Sequence, residues 1–263
     1  MNTCFLGDQT RPAKPRRSGL TAVIDPGLPL GAFADIMQSH HAWIDAVKFG
    51  WGSALVTARL GDKIAFLKRL GIPFWFGGTL FERAYAEGRI EEFVDFVGNH
   101  GAPYIEISDG TISLPLREKL RLIRRLSDEF LVLSEIGKKD SDIEPDADEW
   151  THAIWSELEA GARWVILEGR ESGTAGLYHR SGAVRTGLID ALLGTSLELD
   201  DIFFEAPRKE HQAHFIRTLG AAVNLSNIAA ADVIGLETLR RGLRSDTFHD
   251  LPAWPSIELL AAE

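Results

Sequence analysis

Cysteine is almost absent: Cys4 is the single one in 263 residues. An intrachain disulfide is therefore excluded, and a reducing cytoplasm is the default compartment. No apolar stretch of about 20 residues occurs, which excludes a helical membrane span. Basic charge is in the minority, with a formal net charge of −10, and this argues against nucleic acid as the main partner. It does not argue against small anions, because pocket charge is local. No His or Cys cluster has zinc spacing, and no strand-like run leads into G-x-G-x-x-G. Gly50-Trp51-Gly52 lacks the third glycine. No Pro/Ser-rich linker divides the chain.

What is present is a repeated pattern beginning near Leu20. A short apolar run ends in a charge or a glycine, a polar loop follows, and a stretch with helical period comes next. The runs are Leu20 to Ile24, Ile44 to Val47, Pro73 to Phe76, Tyr104 to Ile107, Phe130 to Leu133, Trp164 to Leu167, Ile202 to Phe204 and Ala222 to Leu225. Most are nearly continuous and rich in β-branched or aromatic residues, as strands buried on both faces should be. Between them lie amphipathic stripes such as Ile90, Phe93, Val94 and Val97, or Trp150, Ile154, Trp155 and Leu158. Eight strand-helix units in this length favour an α/β fold of the (β/α)8 TIM barrel type over an open doubly wound sheet.

The expected organisation is one domain over residues 19–249, preceded by a flexible basic leader (1–18) and followed by a C-terminal extension (250–263). The leader carries Arg11, Lys14, Arg16 and Arg17, with no apolar segment after them to complete a signal peptide. The acidic loop from Lys138 to Asp148 is long enough for a lid. Arg240, Arg241 and Arg244 read as a solvated face or a subunit contact. A homo-oligomer is compatible with the seven tryptophans.

The chemistry is expected where the runs end, because barrel strand ends converge on one mouth. Those ends carry Asp25, Lys48, Glu106 with Ser108 and Asp109, Glu135 with Lys138 and Lys139, Glu168 with Arg170, Glu205 with Arg208, and Asn224 with Asn227. Charges so placed are costly to bury unless paired or bound to a ligand. Asp25, Glu106, Asp109, Glu135, Glu168 and Glu205 are hard oxygen donors, which favour Mg²⁺. Ion pairing of some of them with Lys48, Lys138 and Arg170 is compatible with that. The cations suit an anionic substrate, arginine through bidentate contacts to carboxylate or phosphate. Asp25-Pro26-Gly27 and Asp109-Gly110 also read as plain turns.

Taken in order, these strand ends resemble phosphosulfolactate synthase. The resemblance rests on Val47-Lys48-Phe49-Gly50-Trp51-Gly52, Gly77-Gly78-Thr79-Leu80-Phe81-Glu82, Glu106-Ile107-Ser108-Asp109-Gly110, Ser134-Glu135-Ile136-Gly137-Lys138-Lys139, Glu168-Gly169-Arg170-Glu171-Ser172-Gly173, Glu205-Ala206-Pro207 and Asn224-Leu225-Ser226-Asn227. It runs from about Leu20 to Phe248. The chain departs from the pattern at Arg208, where Gln is expected, and at Ser245, where Gly is usual.

The resemblance implies a Mg²⁺-dependent lyase that adds sulfite to phosphoenolpyruvate, serving coenzyme M biosynthesis in some organisms. The family also contains plant heat-stress proteins. The implied assignment makes Lys138 the general acid, with Lys48 and Arg170 holding carboxylate or sulfite. Lys139, Arg208, Asn224, Asn227, Ser108 and Asp109 would contact substrate. Glu106, Glu135, Glu168, Asp25 and Glu205 would supply direct or water-mediated metal contacts. Two other readings stand beside it: a Schiff-base aldolase built on Lys48, and a non-catalytic, stress-related barrel that only binds a phosphorylated anion. Neither nucleic acid nor membrane is an expected partner.

Overall fold

The computed structural model describes residues 11–140 and 142–249. Residues 1–10, the C-terminal extension from Asp250 onward and Ser141 lie outside the described residues. Eight strands alternate with helices along the chain: β1 (Thr21–Asp25), α1 (Leu30–His40), β2 (Ala46–Phe49), α2 (Leu60–Leu70), β3 (Phe74–Phe76), α3 (Gly78–Ala86), α4 (Ile90–His100), β4 (Tyr104–Ile107), α5 (Leu116–Leu126), β5 (Leu131–Ile136), α6 (Ala147–Glu159), β6 (Ala162–Leu167), α7 (Thr186–Leu193), β7 (Ile202–Glu205), α8 (Lys209–Leu219), β8 (Asn224–Ala229) and α9 (Val233–Arg240).

Every ladder is parallel, in the order β3-β2-β1-β8-β7-β6-β5-β4, and β3 lies beside β4 to bring the sheet almost full circle. This is a single-domain (β/α)8 TIM barrel. The strands are buried nearly throughout, as their apolar composition requires. The helices pack their stripes on the outer face; Phe93 and Val97 of α4 and Trp150 and Ile154 of α6 are buried. Trp155 departs from its expected stripe and is exposed, and Glu157 is buried instead, paired with Lys119 of α5 at 2.9 Å. No helix among the described residues is long and apolar enough to cross a membrane.

Three expectations are corrected at the N-terminal end of the barrel. Residues 11–18 are not a free leader. Arg11 is buried, with ion pairs to Asp45 at 2.8 Å and Glu237 at 3.1 Å, and it donates to the carbonyls of Gly19 and Trp43. Arg16 pairs with Asp45 at 2.7 Å, and Lys14 donates to the carbonyls of His41 and Ile44. These basic residues cap backbone and acids at the barrel's base.

Arg240, expected on a solvated face or at a subunit contact, is wholly buried and donates to the carbonyls of Ala221, Val223 and Leu20. It ties α9 to the entrances of β1 and β8.

Asn224 is also at this end, away from any strand-end site. Its Oδ1 accepts from Leu20 N at 2.9 Å, and its Nδ2 donates to Asp200 O and Ile202 O at 3.0 and 3.3 Å. The expectation fails because the apolar run Ala222 to Leu225 straddles the start of β8, which begins at Asn224 and continues five residues further.

Candidate active site

The opposite end of the barrel holds a cavity of about 630 Å³. Its walls come from the C-terminal ends of the strands and the loops after them, as in other barrels of this type. Lys48 of β2, Glu135 of β5, Glu168 after β6, Glu205 of β7 and Asn227 of β8 all line it, joined by Lys139 and Arg170.

Glu135, Glu168 and Glu205 each present one carboxylate oxygen, and these three lie within 4.8 Å of one another. All three residues are buried. Lys48 faces this cluster, 3.2 Å from Glu205 Oε1 and 3.4 Å from both Glu135 Oε2 and Glu106 Oε2. Lys139 enters from the side, 3.1 Å from Glu135 Oε1, 3.3 Å from Glu82 Oε1 and 3.6 Å from Glu168 Oε2.

Backbone donors fix the carboxylates. Glu205 Oε2 accepts from Gly169 N and Arg170 N at 2.9 and 3.1 Å, and Glu168 Oε1 accepts from Arg170 N at 2.5 Å. Glu168 Oε2 is buried with no hydrogen bond among the described residues, its ion-pair partner Lys139 standing off at 3.6 Å. Glu106 is taken by Trp75 Nε1 and Gly78 N, each at 2.5 Å. That contact requires glycine at the start of α3, since a Cβ on Gly78 would lie 2.4 Å from Glu106 Oε1 and Ser108 Cβ.

The electrostatics follow from burial and crowding. Burial disfavours the Lys48 ammonium, but Glu106, Glu205 and Glu135 outweigh it and hold its pKa well above the usual lysine value. Lys139 is raised in the same way, burial being overcome by Glu135, Glu168 and Glu82. Burial, then the negative charges of Glu135 and Glu205, push Glu168 well above the ordinary carboxylate range. Glu135 goes the other way: the Lys139 and Lys48 cations override its burial and pull it well below. Burial raises Glu106 to about 7 despite Lys48.

Several expected site residues are placed elsewhere or otherwise engaged. Glu106, expected on the metal, has its oxygens taken by Trp75 Nε1, Gly78 N and Lys48 and does not join the cluster of Glu135, Glu168 and Glu205. Asp25 is buried with Oδ2 on Lys63 at 2.5 Å and Oδ1 on the amides of Gly27 and Leu28, so its oxygens serve a structural ion pair and a turn. Lys138 turns away from the cavity. Its Nζ donates to Asp109 Oδ2 at 2.8 Å and to the carbonyls of Asp109 and Ile112. Asp109 is shared with buried Lys119 at 3.0 Å, so it clamps loops and does not face the cavity. Arg208 is exposed and donates to Ser172 O, holding the loop after β6. Asn224 sits at the far end, as described above.

The reversal between Lys138 and Lys139 originates at Gly137, whose φ of 122° is open to glycine and strained for other residues. A Cβ there would lie 2.8 Å from Glu168 Cβ and 2.9 Å from the Trp150 ring.

Sequence reasoning missed Glu82, which accepts from Ser108 Oγ at 2.8 Å and Thr111 N at 3.0 Å besides facing Lys139. Its signal was its place one helical turn after Gly78. Buried Lys63 and Lys119 were also missed; nothing distinguishes them in sequence from surface lysines on amphipathic helices. Ser108 Oγ stands 2.7 Å from Glu135 Oε1 as well as 2.8 Å from Glu82 Oε1, and one hydroxyl proton serves one of them at a time.

The family model that matches residues 9–246 of this chain is that of (2R)-phospho-3-sulfolactate synthase (ComA). The chain belongs to this family. It is 45% identical over 250 residues to phosphosulfolactate synthase of Bacillus subtilis, covering 94% of this chain and 99% of that one. It is 44% identical over 236 residues to phosphosulfolactate synthase of Methanocaldococcus jannaschii, covering 88% and 94%. The match begins before Arg11, in keeping with the packing of residues 11–18 on the barrel.

Solved structures extend the likeness of fold alone. The YdjI aldolase of Escherichia coli K12 superposes with a TM-score of 0.54 at 11% identity, covering 88% of this chain and 87% of that one. The 3-hexulose-6-phosphate synthase of Salmonella typhimurium gives 0.54 at 13%, covering 86% and 100%.

Proposed function

We propose that this family member adds sulfite to phosphoenolpyruvate, with help from Mg²⁺, to give phosphosulfolactate. The observation that carries the reading is the convergence of Glu135, Glu168 and Glu205 with Lys48 and Lys139 on one cavity. Three hard oxygen donors within 4.8 Å, one of them with a buried oxygen that takes no hydrogen bond among the described residues, suit a divalent cation of the Mg²⁺ class. Bound there, Mg²⁺ would neutralise the carboxylates and stabilise negative charge developing on the substrate carboxylate.

The remaining steps belong to the chain's own residues. Sulfur's lone pair forms a bond to the methylene carbon of phosphoenolpyruvate, and the π electrons of the double bond move into the carboxylate. Lys48, held as an ammonium at the cavity floor, and Arg170 at its rim stabilise that charge. Lys139 delivers a proton to the adjacent carbon, and its neutral amine is reprotonated from solvent. Lys139 replaces Lys138 in this role because it is the lysine of the pair that enters the cavity. Asn227, whose buried Oδ1 has no hydrogen-bond partner among the described residues, orients the substrate at the β8 end.

A Schiff-base reading is not favoured. That chemistry needs a neutral amine, and three carboxylates around Lys48 hold it charged. The test is to incubate the protein with phosphoenolpyruvate, sulfite and Mg²⁺ and follow product by mass spectrometry. Phosphosulfolactate should form and should stop on adding EDTA. Folded protein that binds phosphoenolpyruvate without turnover would instead support the binding-only reading.

A further inference from the structure

Among the described residues, the non-glycine positions with positive φ are Trp51 at 51°, Arg170 at 58° and Asn227 at 55°. All three line the same cavity. Backbone in this region is strained for an L-residue with a bulky side chain and persists where the surroundings enforce it, often at ligand sites. Arg170 has a local reason, because its amide binds Glu168 and Glu205. Asn tolerates the conformation. Trp51 has neither excuse. Its ring is not core: the residue is 46% exposed. The other side chains that line the cavity are mostly polar or charged, and the large apolar ones are Ile24 and Trp51.

We propose that Trp51 is a substrate-specificity residue whose indole packs on the planar, unsaturated carbon part of the bound enolpyruvyl group. Arg170 and Asn227 then take the charged and polar ends. The ligand class is a small, planar, unsaturated carboxylate bearing an anionic group. The inference rests on the proposed function and adds a residue that the carboxylate-lysine chemistry does not require.

The test is calorimetric titration of wild type, Trp51→Phe and Trp51→Ala with phosphoenolpyruvate and, separately, inorganic phosphate, all with Mg²⁺. Trp51→Ala should weaken phosphoenolpyruvate binding about tenfold or more, while Trp51→Phe keeps it within about threefold. Phosphate, which has no carbon to pack, should bind all three within about twofold. Trp51→Gly should melt no lower than wild type, since it releases backbone strain and vacates no core.

Equal phosphoenolpyruvate affinity in wild type and Trp51→Ala would overturn this inference and leave the proposed function standing. So would a lower melting temperature for Trp51→Gly with parallel loss of phosphate binding, which marks a structural residue. A change of oligomeric mass by light scattering in Trp51→Ala, with ligand affinity intact, would make the indole an interface residue and overturn it too. Wild type that binds no phosphoenolpyruvate would remove both readings.

Discussion

Lys138 Nζ lies 2.8 Å from Asp109 Oδ2, and this ion pair sits outside the cavity that the next residue, Lys139, enters. Adjacent lysines on one loop thus have separate tasks: Lys138 clamps the loop after β4, and Lys139 faces the carboxylates. Gly137 sets the division by turning the backbone where no side chain fits.

The carboxylate triad predicts a metal phenotype. Glu168→Gln should weaken Mg²⁺ or Mn²⁺ binding about tenfold or more in calorimetry, as loss of a charged hard donor requires. The same substitution should leave the metal-free melting temperature unchanged or higher, because burial beside Glu135 and Glu205 already favours the neutral carboxyl that the amide mimics. Unaltered metal affinity would remove Glu168 from the site.

Glu106 predicts a pH dependence. Burial raises its folded pKa from 4.5 to about 7. The folded state therefore binds the proton more tightly than the unfolded state. The contribution to stability is most favourable below the unfolded value, falls as pH rises from about 4.5 to about 7, and levels off above. With EDTA present, melting temperature should decline across that window, and Glu106→Gln should flatten the decline even though its amide opposes one of the two N–H donors. A wild-type profile rising through the window would contradict the assignment.

The far end of the barrel should affect stability and spare turnover. Asn224→Ala leaves Leu20 N and two carbonyls without their partner, a loss of about 1–3 kcal/mol by chemical denaturation. Arg11→Met leaves Glu237 and Asp45 with one cation fewer in a buried cluster and should cost about 3–5 kcal/mol. In both variants kcat should stay near wild type; a selective loss of kcat would return Asn224 to the site.

The barrel was legible because eight apolar runs and their helical stripes obey simple periods. Glu135, Glu168, Glu205 and Lys48 were legible because a charge at the end of a buried run has few structural uses. Asp25 looked identical in sequence, but its partner Lys63 comes from a helix whose lysine carries no distinguishing mark. Asn224 failed by position along its strand, since composition placed the end of β8 too early. Lys138 and Lys139 could not be told apart in sequence, because the φ of Gly137 decides which one enters the cavity. The basic leader was misread because its acidic partners, Asp45 and Glu237, are distant in the chain.

The most direct measurement is the reaction of phosphoenolpyruvate, sulfite and Mg²⁺ in deuterated water, read by mass spectrometry for wild type, Lys138→Met and Lys139→Met. Wild type should form phosphosulfolactate carrying one carbon-bound deuterium, and Lys138→Met should do so within about tenfold of its rate, while Lys139→Met falls by about 100-fold or more. Product formation by Lys139→Met at the wild-type rate, or no product from well-folded wild type, would contradict the account.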